Sequence, residues 1–129
     1  MSYNVGFKYL AHISGNREET VKEHCLGVAE QAAIFAEPFG SREEAFFTGV
    51  LHDIGKYTRE FQKRLHGSNQ SVDHSTAGAK EAISRNNLPA AFAIMGHHGG
   101  IPNMGSKGDS SSEPTFYGRK KKDVCDYSP

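Results

Sequence analysis

The chain has 129 residues, 36% of them hydrophobic, and its 15 basic and 15 acidic side chains leave no formal net charge. That length suits one domain around one core, and the charge balance argues neither for nor against a nucleic-acid partner, so any basic surface must be local. No apolar run approaches the ~18 residues of a membrane span, and the start of the chain lacks the basic flank and apolar stretch of a signal peptide. Cys25 and Cys125 form neither a C-x-x-C pair nor a disulfide framework, which fits a reducing cytoplasm. The seven histidines are the unusual feature of the composition.

Residues 1–19 read as an extended lead-in in which Tyr3, Val5, Phe7, Tyr9 and Leu10 cover part of a core, with Asn16-Arg17-Glu18-Glu19 as a polar loop. Thr20-Val21-Lys22-Glu23 is a capping box. The helix it opens carries Val21, Cys25, Val28, Ala29, Ala32, Ala33 and Ala36 as an apolar stripe of helical period, and Pro38 and Gly40 end it. Ser41-Arg42-Glu43-Glu44 is a second capping box, for a helix through Phe46, Phe47, Val50, Leu51 and Ile54. Thr58 caps a short helix that turns Phe61 and Leu65 inward and stops at Gly67, and residues 67–72 are a loop.

Asp73-His74-Ser75-Thr76 starts a helix rich in small residues, ended by Asn86-Asn87. Pro89 suits the first position of the next helix. Residues 90–95 are apolar on every side, the pattern of a central buried helix, and run into Gly96-His97-His98-Gly99-Gly100. Residues 101–115 lack apolar periodicity and read as a long loop or a disordered segment, followed by Phe116-Tyr117-Gly118 and the basic residues 119–122. No strand shows clear alternation. The expected fold is an all-α bundle of about five helices, with its helical core in residues 1–100 and a loop and basic tail in residues 101–129.

The stretch Leu51-His52-Asp53-Ile54-Gly55-Lys56 places an imidazole, a carboxylate and an ammonium within five residues. On a helix, spacings of three and four put these groups on or near one face, and Gly55 leaves room on the crowded side. Two readings compete: a metal site in which His52 and Asp53 are ligands and Lys56 meets an anionic substrate, or a buried His–Asp hydrogen bond beside a solvated lysine. His24, His74 and the pair His97-His98 fall at helix starts or ends, and in a small bundle such positions converge on an interior pocket. Neutral imidazoles bind borderline transition ions, and a carboxylate can bridge two of them. Two ions ~3.5–4 Å apart hold a phosphodiester, activate a water and stabilise the departing oxygen. Six candidate ligands make the metal reading the stronger, while His12 and His66 are assigned to ordinary packing or surface roles. Histidine-rich ligation with one clear carboxylate favours Mn, Fe, Co, Ni or Zn over Mg. In the basic run, Arg119 and Lys120 are candidates for phosphate contact, against the alternative of a solvated surface.

The order His…His-Asp…His…His-His resembles the HD metal-dependent phosphohydrolase superfamily, and more closely the HD nuclease domain of the CRISPR-associated helicase–nuclease of type I systems. The segments Lys22-Glu23-His24, Leu51-His52-Asp53-Ile54-Gly55-Lys56, Val72-Asp73-His74-Ser75-Thr76-Ala77-Gly78-Ala79 and Gly96-His97-His98-Gly99-Gly100 carry the likeness. The resemblance implies one ion on His24, His52 and Asp53, and a second on Asp53, His74, His97 and His98, with Asp53 bridging and Lys56 near the scissile phosphate. It implies cutting of single-stranded DNA fed by a helicase, on the same or a partner chain, and recruitment by an RNA-guided surveillance complex. The family also carries a metal-binding aspartate on a later helix. Asp109, Asp123 and Asp126 do not match it, so the sequence is expected to be a fragment with weak metal binding and feeble activity. The alternatives are an HD phosphohydrolase acting on nucleotides or cyclic dinucleotides, and a non-catalytic module that binds a helicase.

Overall fold

A computed structural model describes residues 8–67 and 72–127. Tyr3, Val5 and Phe7, and residues 68–71 of the loop expected after Gly67, lie outside the described residues. The segment expected as an extended lead-in and polar loop forms a hairpin: β1 (Leu10–Ser14) pairs antiparallel with β2 (Arg17–Thr20), Leu10 facing Thr20 and Ser14 facing Arg17. Its two-residue loop is Gly15-Asn16, and Gly15 takes φ +61°, a left-handed conformation that glycine supplies cheaply at the first central position of such a turn. Only Leu10 and Ala11 are buried along these strands, so no alternation marks them.

The capping box at Thr20 forms. Thr20 Oγ1 accepts the Glu23 backbone N–H at 3.1 Å and donates to Glu23 Oε1 at 3.0 Å. The helix α1 (Val21–Ala36) buries Val21, Cys25, Ala29, Ala33 and Ala36, and ends in a 3-10 turn, Glu37–Phe39, and left-handed Gly40. The second capping box does not form: Ser41 stands at the N-cap of α2 (Arg42–Leu51) without a side-chain cap bond. Arg42 instead pairs with Glu37 at 3.2 Å.

α2 ends at Leu51, and a 3-10 turn, Ile54–Tyr57, follows. His52, Asp53 and Lys56 therefore straddle a helix end rather than sharing one helical face. Two glycines govern this departure. A Cβ on Gly55 would overlap the His74 carbonyl, and one on Gly78 would overlap the Leu51 carbonyl, so the chain leaves the helical path to lie against the segment that begins at His74.

Thr58 caps α3 (Arg59–Leu65), accepting the Phe61 N–H at 3.1 Å, as its sequence suggests. Gln62 of α3 is buried and ties three segments together. It accepts the Leu10 N–H at 3.0 Å and donates to the carbonyls of Leu10 at 2.8 Å and Lys56 at 2.9 Å. Asp73 Oδ1 accepts the backbone N–H groups of Ser75 and Thr76, both at 3.1 Å, at the start of α4 (Thr76–Ser84).

Asn87 caps α5 (Leu88–Gly99). This helix is buried through Ala90, Ala91, Ile94 and Met95 only; Leu88 is 45% exposed and Ala93 is exposed, so its apolar run is covered on one side rather than all round.

Residues 101–115 are a loop braced from within. Asp109 Oδ2 accepts the Ser106 N–H at 3.1 Å and the Thr115 hydroxyl at 2.7 Å. A sixth helix follows, α6 (Phe116–Lys120), one more than the sequence signals. Phe116 stacks on Phe92 with ring centroids 4.6 Å apart and is buried in a cluster with Leu51, Ala79, Ala82, Ala91 and Ile94. The molecule is all-α in class, with a two-stranded sheet and six α-helices among the described residues. No helix among them is long and apolar enough to cross a membrane.

α1 and α2 touch backbone to backbone: a Cβ on Gly49 would stand 2.5 Å from Ala29 Cα. Gly49→Ala therefore lowers unfolding free energy by roughly 1–3 kcal/mol through overpacking. Gly27→Ala, where an added methyl meets nothing within 4 Å, raises it by roughly 0.5–1 kcal/mol. Urea unfolding of the two variants checks both signs.

Candidate metal centre

Asp53 is 3% exposed and lies at the centre of the histidines. Its two oxygens face two different groups. On one side, Oδ2 lies 2.9 Å from His24 Nε2 and 3.2 Å from His52 Nε2, and these two nitrogens are 3.1 Å apart. On the other, Oδ1 lies 3.1 Å from His97 Nε2 and 3.7 Å from His74 Nε2, and His74 Nε2 is 2.9 Å from His98 Nε2. All six residues expected as ligands thus meet in one place, in two sets that share Asp53. The start of α1, the end of α2, the segment before α4 and the end of α5 deliver them.

The tautomers follow from the neighbours. His52 Nδ1 lies 2.6 Å from the Gly49 carbonyl and His97 Nδ1 lies 2.5 Å from the Ile94 carbonyl. A carbonyl only accepts, so each Nδ1 carries the proton. Both Nε2 lone pairs then point at carboxylate oxygens, an arrangement that repels unless a proton or a cation stands between. Burial disfavours the imidazolium at His52, but the hydrogen bonds to Asp53 and the Gly49 carbonyl outweigh it and raise that pKa. Burial likewise pushes the Asp53 carboxyl up; hydrogen bonds from His52 and His97, with the charges of His52 and Lys56, overcome it and hold Asp53 far below the usual carboxylate range. Burial lowers the pKa of His74, and burial with the neighbouring His97 lowers that of His98, which disfavours the imidazolium at both.

The donor set fits a cation. Asp53, His74, His97 and His98 offer ligand atoms within 4.8 Å of one another, as do His24, His52 and Asp53. Imidazole nitrogens with a shared carboxylate are the donors that borderline transition ions prefer. Carbonyl partners on Nδ1 are the outer contacts that fix a ligating histidine.

Lys56 is buried. Its ammonium lies 3.4 Å from Asp53 Oδ2, 3.5 Å from the Ala11 carbonyl and 5.3 Å from the Phe61 ring centroid, so it faces the carboxylate from within and is not a solvated lysine. Arg119 does not join the cluster. Its guanidinium donates to the carbonyls of Met95, Gly99, Gly100 and Pro114 at 2.8–3.3 Å, clamping the end of α5. Lys120 is exposed, its ammonium 5.8 Å from the Tyr117 ring centroid. His66 Nδ1 is bonded to the Gln62 carbonyl at 2.7 Å, at the end of α3.

Sequence reasoning missed Glu19 and His12. Glu19 Oε1 lies 3.2 Å from His24 Nδ1 and 3.7 Å from His12 Nε2, and these three residues form a further group with ligand-like spacing. The Gly15-Asn16 turn was the available signal: read as a hairpin, it brings Glu19 opposite His12 and next to the helix that carries His24.

A family model described as the HD domain matches residues 21–127, a span that holds all six ligand candidates. Comparison with curated proteins finds no match.

Two outcomes check this geometry. Zinc at a hundred times its dissociation constant raises the unfolding free energy by about 2.7 kcal/mol, and Asp53→Asn abolishes the rise, as read by thermal melts with and without the ion. The second concerns Asp73, beside His74. Burial pushes its carboxyl up, but hydrogen bonds from Lys122, 2.8 Å away, and Thr76 outweigh this and depress its pKa. A depressed carboxylate stabilises the fold above its unfolded value of about 3.9 and loses that contribution as the pH falls towards its folded value. The stability deficit of Asp73→Asn is therefore largest at neutral pH and shrinks below about pH 4, measured by urea unfolding across pH 3–7.

Proposed function

Since the chain belongs to the HD-domain family, whose members are metal-dependent phosphohydrolases, we propose that it cuts phosphodiester bonds of single-stranded DNA with divalent ions held by His24, His52, Asp53, His74, His97 and His98. The observation that carries this reading is the division of Asp53: each oxygen belongs to a different set of imidazoles, so one carboxylate links two cation sites. Five imidazoles to one carboxylate favour Mn, Fe, Co, Ni or Zn over Mg. When bound, such ions supply Lewis-acid polarisation of the scissile phosphodiester and acidify the attacking water.

The chain's own residues prepare the site for that chemistry. Lys56 balances the buried charge of Asp53 and keeps the carboxylate ionised and aimed. The Gly49 and Ile94 carbonyls hold His52 and His97 with Nε2 inward. Burial disfavours the imidazolium at His74. On the outer rim, His98 is exposed and borders an open groove of about 370 Å³ lined in part by Thr76, Ser111, Glu113 and Lys122. An open rim suits a strand that runs past the site, whereas a mononucleotide site would close around a base.

The Asp73–Ala79 and Gly96–Gly100 motifs support a place in CRISPR defence, in which a helicase on the same or a partner chain supplies the strand and an RNA-guided surveillance complex recruits both. The experiment is a panel of single-stranded DNA, duplex DNA, nucleotides and cyclic dinucleotides, each incubated with manganese, cobalt or nickel. Cleavage of single-stranded DNA is expected, falling on the order of 10³-fold in Asp53→Ala, the scale of losing several kcal/mol of transition-state stabilisation. Turnover of nucleotides alone would replace this reading with the nucleotide phosphohydrolase.

A further inference from the structure

The His24 imidazole is flanked by carboxylates at both nitrogens. Nε2 lies 2.9 Å from Asp53 Oδ2, and Nδ1 lies 3.2 Å from Glu19 Oε1. A carboxylate accepts and does not donate when ionised. With its proton on Nδ1 the ring faces Glu19 with an N–H and leaves the Nε2 lone pair for a cation beside Asp53; the Nδ1 contact is an ion-pair distance of 3.2 Å. His52 and His97 are oriented differently, each by a carbonyl three residues back in its own helix. His24 stands in the first turn of α1, and its Nδ1 partner comes from the neighbouring strand.

That partner is built in by the hairpin. The register sets Glu19 opposite His12, and Thr20, the next residue, is fixed as the N-cap of α1 by its bonds to Glu23. The Val21 N–H bonds to the Tyr9 carbonyl at 2.9 Å, holding the strand to the helix start. The entry angle of β2 into α1 thus places the Glu19 carboxylate against a ring one turn further on. The His12 ring packs edge-on against His24 with centroids 4.9 Å apart and closes the other side. The His24 side chain is only 18% exposed although Glu19 is 45% exposed, so the contact sits at the inner edge of the hairpin.

We propose that Glu19 is a positioning residue for the cation site formed by His24, His52 and Asp53: it fixes the His24 tautomer and ring orientation with Nε2 inward. The proposal rests on the cation-binding reading of the cluster. Outer carboxylates on ligating histidines contribute 10–100-fold to metal affinity, and no other residue among the six ligand candidates receives a carboxylate from outside the cluster in the contacts described above.

The test compares the unaltered chain with Glu19→Ala, Glu19→Gln and Glu18→Ala, the last a neighbour on the exposed strand. Two readouts are taken at one fixed pH: zinc affinity by calorimetry, and the side-chain Nδ1–H resonance of His24 in the ¹⁵N–¹H spectrum of the zinc-loaded protein. Glu19→Ala is expected to weaken the tighter or the weaker of two zinc steps by 10–100-fold and to lose the low-field, exchange-protected Nδ1–H signal. Glu19→Gln keeps an acceptor of the same reach and recovers most of both; Glu18→Ala changes neither. Unchanged affinity or an unchanged Nδ1–H signal in Glu19→Ala would overturn the positioning role. So would a Glu19→Gln chain as weak as Glu19→Ala, since a general loss of acidic charge or of hairpin stability would then explain the effect. An unaltered chain that takes up no zinc would overturn the cation reading itself, and the proposal with it.

Discussion

The ionised carboxylate of Asp53 sets the terms for the rest of the fold. A buried charge is costly unless it is paired and hydrogen-bonded, and Asp53 is compensated on every side. Lys56 stands 3.4 Å from Oδ2, and four imidazole nitrogens approach its two oxygens within 3.7 Å. Those partners come from segments far apart in sequence. The helix ends must therefore meet at one point, and any shift that separates them leaves the charge uncovered. Stability and site geometry are the same requirement here.

Close backbone approach is what satisfies it. The core is built largely from alanine and glycine, and its tightest contacts are Gly49 on Ala29, Gly55 on His74 and Gly78 on Leu51. Contacts of this kind fix the spacing between elements by the backbone rather than by adaptable side chains, so the distances around Asp53 are inherited from the packing of α1, α2 and α4. The segment after residue 100 acts on the same centre from outside. Arg119 satisfies the last carbonyls of α5, the end that carries His97 and His98, as basic groups at helix C-termini do. Lys122 pairs with Asp73, which caps the start of α4 next to His74.

The sequence made the helices legible where local chemistry decides them: Thr20 and Thr58 cap as their types suggest, and the alanine stripe of α1 is the buried face. The six ligand candidates were legible because their residue types have little packing value at helix ends. What was not legible depended on contacts between distant residues. The hairpin has no alternation to show, and Glu19 is meaningful only once β2 lies beside α1. Ser41 has the right type for a cap, yet Arg42 pairs with Glu37 instead. The helical pattern around His52 and Asp53 reads as continuous, but Gly55 and Gly78 bring another segment too close for it to continue. Lys56 and Arg119 read as anion-binding or solvated cations, and only the tertiary structure gives one a carboxylate and the other four carbonyls.

The charge of Lys56 bears on what the centre can attract. Its ammonium already matches the single negative charge of Asp53, and the surrounding imidazoles are neutral ligands when they offer lone pairs. A cation held there would keep most of its formal charge, because Asp53 already faces Lys56; Glu19 adds a carboxylate at the far nitrogen of His24. A loaded centre of this composition is strongly electropositive behind a rim open at His98. The ligand such a field favours is an anion with several oxygens to present, and a phosphodiester meets that description better than a neutral amide or ester. Carboxylate-rich two-ion sites neutralise their metals from within; a loaded centre of this composition would leave that part to an anionic ligand.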